Sequence, residues 1–205
     1  VTLRSAGASN HFIFSPGAPG ASVLAGLRFE DGNQAANTNS SGGALFYNAN
    51  TGATTSNLTI QDCAFVGNAA GESSTSSSNN GRGGAIYFVT TGTNVASLVV
   101  RRTRFENNHA RASQPDPLNR AALSGAIYAR GVNVQIEDCV FVGNSAEAAS
   151  FGLAGGGAIA LDSPAGVATI SRTRFSQNEG LSGASAIWTG VAGASSAPPR
   201  LVIED

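Results

Sequence analysis

Hydrophobic and polar positions alternate along this chain in short runs that break phase once and then resume. Leu58 and Ile60 fall on one side of the alternation, the phase slips by one residue, and Cys63 and Phe65 fall on that same side again. A period-two pattern with a single slip describes a strand, a sharp corner and a second strand, both facing one interior. The unit recurs: SVLAGLRFEDGN ending at Asn33, LTIQDCAFVGN at Asn68, LVVRRTRFENN at Asn108, VQIEDCVFVGN at Asn144 and ATISRTRFSQN at Asn178. The final LVIED opens a sixth copy. Phe29, Phe65, Phe105, Phe141 and Phe175 mark the repeat, at separations of 36, 40, 36 and 34 residues.

A second motif is interleaved with the first. It reads GGALFY from Gly42, GGAIYF from Gly83, SGAIYA from Ser124, GGAIAL from Gly156 and the degenerate ASAIWT from Ala184. Its always-aliphatic column is Leu45, Ile86, Ile127, Ile159 and Ile187. Three short strands per repeat, with no 3.6-residue periodicity between them, exclude an α/β alternation and predict an all-β solenoid. The expected fold is a right-handed parallel β-helix of about five coils of three short strands, like residues stacking ~4.8 Å apart. It forms one domain over 1–205, with 1–21 irregular or a partial cap and 22–205 the repeats.

Several columns acquire structural roles. The phenylalanines predict an internal aromatic stack. The asparagines at 33, 68, 108, 144 and 178 predict a turn where Asn adopts left-handed geometry and pairs its amide with the next coil; Asn33 comes one residue late, which suggests a bulge in the first coil. The glycine pairs permit close approach at the following corner. The residue before the Cys/Thr column reads Asp62, Arg102, Asp138, Arg172 and Asp205, so acid and base alternate on successive coils. The next column reads Cys63, Thr103, Cys139, Thr173, making the true unit two coils. Two coils separate the cysteines by roughly 9.6 Å, beyond the ~7 Å that a disulfide spans between Cα atoms, so both read as buried free thiols.

The paired GGA[ILV] and FxxN motifs resemble the repeats of polymorphic outer-membrane proteins, autotransporter-type surface adhesins, and of related bacterial β-helix repeats. The matches are Gly42–Leu45, Gly83–Ile86 and Gly156–Ile159, with Ser for the first Gly in Ser124–Ile127. Phe65–Asn68, Phe105–Asn108, Phe141–Asn144 and Phe175–Asn178 supply the other half, and coverage runs from about residue 22 to 205. The resemblance implies a secreted passenger or stalk region in adhesion or surface display, hence an extracellular or cell-surface setting. No membrane-barrel segment is present in the sequence.

Composition narrows the chemistry. Charged residues are 12% of the chain, the 12 basic residues are all Arg, and the formal net charge is −1. No positive field exists to hold nucleic acid or an anionic membrane. No apolar run approaches the ~18 residues of a membrane span, and no basic-then-apolar leader opens the chain. The lack of any Met, with LVIED breaking off within a coil, gives the expectation of a piece of a longer repeat protein. Its neighbours would be further β-helix coils or subunits, and the isolated piece would stack end to end.

The fold also hosts pectin-type lyases and hydrolases, which need clustered carboxylates with a basic group. The resemblance to that fold places such a site on the outer face of the GGAI strand. Outward positions there read as Ala44 and Phe46, Ala85 and Tyr87, Ala126 and Tyr128, Ala158 and Ala160, Ala186 and Trp188, with no acid, Lys or His. Asp162 and Arg130 lie just past that strand and read as turn caps. His11 and His109, the latter in a loop, read as solvated or capping residues. There is no GxSxG elbow and no phosphate-binding glycine loop leading into a helix. The expectation is therefore no catalytic residue, no metal and no cofactor.

What remains is the outward aromatic file Phe46, Tyr87, Tyr128 and Trp188, broken by Ala160. It is either a stripe for sugar rings or a partner protein, or a surface that loops fold back to cover. The variable segments 34–41, 69–82, 109–123, 145–155 and 179–183 all fall between the Asn and glycine motifs, at one corner of the scaffold. Segment 109–123 carries Pro115, Asp116 and Pro117; segment 69–82 is rich in Ser, Asn and Gly and reads as mobile. Two sequons, at Asn39 and Asn57, matter only in a secreting eukaryote. The leading reading is a non-catalytic structural or adhesive β-helix segment of an extracellular surface or filament protein, with glycans or a host surface protein as candidate ligands. A carbohydrate-binding module using the aromatic file is the alternative, and a pectin-type enzyme a more distant one.

Overall fold

A computed structural model describes residues 1–7, 9–14, 20–34, 41–49, 55–71, 81–90, 95–112, 121–148, 153–162, 167–181, 184–190 and 200–205. Every named strand pairing among them is parallel, and they contain no helix. The chain winds as a β-solenoid. The first sheet holds Gly20–Ala25, Thr55–Gln61, Val95–Arg101, Asn133–Glu137, Val167–Ser171 and Arg200–Glu204. The second holds Thr2–Arg4, Arg28–Glu30, Ala64–Val66, Arg104–Glu106, Val140–Val142 and Arg174–Ser176. The third is built from Asn33–Gln34, Ala69–Ala70, His109–Ala112, Ser145–Ala148 and Glu179–Gly180. The fourth collects Phe12–Phe14, Leu45–Asn48, Ile86–Val89, Ile127–Arg130, Ile159–Asp162 and Ile187–Gly190.

Most coils thus have four strands, where the alternation predicts three, and in two coils a short fifth strand, Ala121–Ala122 paired with Leu153–Ala154, precedes the fourth sheet. The extra sheet follows the Asn column and is as short as two residues, too short to leave a period-two trace. Thr2–Arg4 and Phe12–Phe14, within the segment expected to be irregular or a partial cap, are strands that place Leu3 beside Phe29 and Phe12 beside Leu45. The coils at the two ends have neighbours for only some of their strands. The solenoid amounts to about four turns, slightly fewer than the five copies counted in sequence.

The phase slip is a residue in left-handed geometry. Gly26 (φ 65°), Asp62 (54°), Arg102 (45°), Asp138 (54°) and Arg172 (44°) occupy this corner between the first and second sheets. One positive-φ residue reverses the sense of the alternation, so that both strands face inward. A second left-handed column, Asp31, Gly67, Asn107, Gly143 and Gln177, turns the chain into the third sheet. The left-handed residue is therefore the one before each ladder asparagine, not the asparagine itself.

The freed amides bind the coils together. The Asn68 Nδ2–H donates to Asn108 Oδ1 at 2.8 Å, Asn108 to Asn144 at 2.9 Å, and Asn144 to Asn178 at 2.9 Å. Each Oδ1 also accepts the backbone N–H of the preceding coil's Asn. The second amide hydrogen goes to the carbonyls of Phe29, Phe65, Phe105 and Phe141. In the first coil Gly32 stands at the ladder position, its N–H donating to Asn68 Oδ1 at 2.9 Å. Asn33 lies outside the ladder, paired with Ala69 in the third sheet, and no bulge is needed.

The phenylalanine column stacks with centroids 4.6, 5.0, 4.6 and 5.0 Å apart from Phe29 to Phe175. Leu45, Ile86, Ile127 and Ile159 are fully buried beside it, together with Leu58, Ile60, Leu98, Val100 and Ile136. Ala44, Ala85, Ala126 and Ala158, expected to face outward, belong to this same core. They lie at the bend entering the fourth sheet, where a side chain points inward before strand alternation begins. A second internal stack joins Phe14, Tyr47 and Phe88 at 5.7 and 4.4 Å.

The ladder generates a graded expectation. Asn108→Ala orphans the Asn68 N–H and amide and removes the donor of the Phe65 carbonyl, and each unpaired buried group costs about 1–3 kcal/mol. Urea unfolding should show a loss of about 2–5 kcal/mol for this variant. Asn178→Ala, at a half-exposed position with no ladder asparagine beyond it among the described residues, should cost clearly less.

Candidate functional site

The charge column lies on the left-handed corner. Arg102 reaches back one coil to grip Asp62 through two bonds of 2.7 and 2.9 Å. Arg172 holds Asp138 at 2.8 and 3.2 Å and also bonds Glu137. The alternation thus resolves into two bidentate pairs. Hydrogen bonding to Arg102 holds the Asp62 carboxyl below the usual carboxylate range, and Arg172 does the same for Asp138. These side chains are about half exposed, so the pairs act mainly by setting register.

The aromatic file is only partly a surface. Phe46, Tyr87 and Tyr128 stack at centroid distances of 5.1 and 5.2 Å. Tyr128 is 1% exposed, while Phe46, Tyr87 and Trp188 are half-buried. Val89, Leu123, Tyr128 and Ala160 form a second hydrophobic cluster outside the fourth sheet, against which Tyr87 and Trp188 pack. Leu123 and Gly155, from the segments between the Asn and glycine motifs, come together over Ala160. At Tyr128 the structure therefore takes the covered arrangement.

Asp162 completes this cluster. It is 1% exposed and accepts the Tyr128 hydroxyl at 2.6 Å, with Arg130 Nε at 3.7 Å. Burial first, then the Asp162 carboxylate, push the Tyr128 phenol far above its ordinary range. Arg82 lies 5.8 Å from the centre of the same ring. Asp162 and Arg130 are thus partners on adjacent strands rather than turn caps. The phenol and guanidinium satisfy a carboxylate that burial would otherwise penalise.

Of the histidines, His11 packs 5.8 Å from Phe29 with Nε2 3.0 Å from the Glu30 carbonyl. His109 lies in a third-sheet strand, between Ala69 and Ser145, rather than in a loop. Both are half-buried. Among the described residues no three His, Cys, Asp or Glu side chains gather as metal ligands would. Asn57 sits in the first sheet, its Oδ1 accepting the Ser97 hydroxyl at 2.7 Å. Asn39, Pro115, Asp116, Pro117 and most of the Ser-rich segment 69–82 lie outside the described residues.

Cys63 and Cys139 are free and buried. Their thiols donate to the carbonyls of Gln61 and Glu137, each at 3.2 Å. Burial raises both, Cys139 to about 11. On alternate coils Thr103 and Thr173 accept the N–H of the preceding Cys and donate to the carbonyls of Arg101 and Ser171. The two-coil sequence unit thereby becomes a hydrogen-bonded one.

One surface escaped the sequence reading. A shallow groove of about 490 Å³ crosses the outer face of the first sheet, lined by side chains including Ser97, Val99, Asn133, Gln135, Val167 and Thr169. Its signal was the neutral, small-to-medium character of those outward positions over three coils. No family model, curated protein or solved structure matches the chain.

Two outcomes follow from this geometry. Arg102→Asp breaks the bond to Asp62 and sets a third acid between Asp62 and Asp138. Its urea midpoint should fall, and the deficit should narrow as salt screens the repulsion; a deficit independent of salt would mean no ladder forms. In the native state both thiols should resist maleimide at neutral pH and react together on unfolding. A Cys63–Cys139 crosslink on non-reducing peptide mapping would contradict the coil register.

Proposed function

We propose that this chain is a structural and adhesive β-helix segment of an extracellular surface or filament protein, working without catalysis or a cofactor. The observation that carries the proposal is a division of labour within each coil. Repeat spacing varies between 34 and 40 residues, yet Phe65, Phe105, Phe141 and Phe175 remain in register. Much of that variation falls between the Asn and glycine motifs. A rod whose core tolerates variable segments at one corner can display different contact surfaces without refolding. The likeness of its motifs to outer-membrane adhesin repeats points the same way, with neighbouring coils or subunits as structural partners.

The aromatic file gives less support to a separate carbohydrate-module reading, because its central ring, Tyr128, is sealed beneath Leu123 and tied to Asp162.

The test is adhesion without turnover. Beads coated with the chain should be retained saturably on glycan-bearing or cell-derived surfaces whose polymers remain intact. Retention on none of them, or Ca²⁺-dependent depolymerisation of polygalacturonate, would overturn the proposal.

A further inference from the structure

None of the ladders uses the outer face of the first sheet, where the groove lies. Ser97 stands between Asn57 and Asn133 on adjacent strands, and Val99 between Thr59 and Gln135. Thr169 follows Gln135 on the next strand. The face therefore repeats amides, hydroxyls and isopropyl groups at the ~4.8 Å rung spacing. Gln135 and Val167 are exposed, and Ser97, Val99, Asn133 and Thr169 are half-buried.

The chemistry of the lining selects an occupant. None of the lining residues is charged. On the same sheet Arg101 and Glu137 pair with each other at 3.2 Å, Arg172 adds a second bond to Glu137, and exposed Arg200 stands beside Val167 at the edge of the groove. A polyanion would meet one cation at the edge and no counter-charge among the lining residues, and a polycation would meet none there. A purely apolar ligand would bury the amides of Asn133 and Gln135 without partners, at a cost that Val99 and Val167 alone do not offset. A peptide cannot add as a strand, because the groove lies across the face of strands already paired on both sides. A chain presenting C–H patches and hydroxyls in regular succession, without charge, satisfies both kinds of lining group. The volume lies within the range of small-molecule sites, about 300–1,000 Å³.

We propose that this groove binds a neutral, extended polysaccharide chain lying across the strands of the first sheet. The proposal rests on the adhesive reading for its biological setting and deepens it by naming a ligand class.

Affinity electrophoresis of the full chain tests it, in gels containing hydroxyethyl cellulose, xylan or galactomannan, with polygalacturonate as the acidic comparison. At least one neutral polymer should retard the protein, and polygalacturonate should not. Val99→Arg with Thr169→Arg should weaken retardation at least tenfold by blocking the groove. Asn133→Ala with Gln135→Ala should weaken it several-fold without adding bulk. Tyr87→Ala, on the aromatic file, should leave it unchanged. Circular dichroism and urea midpoints report whether each variant is folded, and the alanine pair, at outward positions, keeps the test valid if the arginine pair is not. Failure of every neutral polymer, retardation by polygalacturonate alone, or undiminished retardation in the folded groove variants would each overturn the proposal. Bead adhesion that persists in those cases would separate failure of the groove from failure of the adhesive reading.

Discussion

A solenoid with four or five strands per coil must turn its chain sharply several times in each circuit and still bring every residue back above its counterpart. In this chain the turning falls to residues held at positive φ. Two such columns are continuous, from Gly26 to Arg172 and from Asp31 to Gln177, and a third runs through Gly42, Gly83 and Ser124. An L-residue in this region is costly unless its surroundings hold it there. At Asp62, Arg102, Asp138 and Arg172 the holding groups are the guanidinium–carboxylate pairs between coils. Charges too exposed to stabilise the fold strongly are well placed to keep a strained corner in register.

Because the corner geometry repeats, the interior can repeat as well. The Asn ladder would be a burden in a less regular core, since a buried amide with unfilled hydrogen-bonding capacity opposes folding. Here Asn108 has a backbone donor, a side-chain donor, a carbonyl acceptor and the next amide in the ladder. The Phe stack and the amide ladder also constrain each other, because each ladder amide donates to a carbonyl of the Phe column. Displacing either column along the axis would break the other.

The residues that stack on themselves were legible in the sequence, because stacking requires the same residue type at the same interval. The phenylalanines, the asparagines from 68 onward, the Cys/Thr alternation and the aliphatic column from Leu45 are of this kind. Features made between unlike positions were not legible. The third sheet stacks Ala69, His109 and Ser145 in succession, which share no composition, and its longest like column, Ala70, Ala110 and Ala146, is too short to show an alternation. The inward turn of Ala44 and its equivalents reflects a bend that alternation does not encode. Burial of Tyr128 depends on Leu123 and on Gly155 near Ala160, residues from segments whose lengths differ between coils. The groove belongs to no column, since it is a property of side chains on three coils together.

The same constraint leaves two contrasting kinds of outward surface on such a rod. Between the Asn and glycine motifs the sequence is free to change length, because the ladder closes just before it and the glycine corner reopens just after. On the first sheet the residues are fixed by register, and only their outward side chains can change. Variation at the corner can therefore serve irregular partners, whereas variation on the sheet face generates periodic surfaces. Ser97, Asn133 and Thr169 add hydroxyls and an amide to such a surface without disturbing the inward Leu98, Val134 and Ala168 beside them. A polymer with its own repeat is the kind of ligand that a surface held at constant rise can follow for more than one coil.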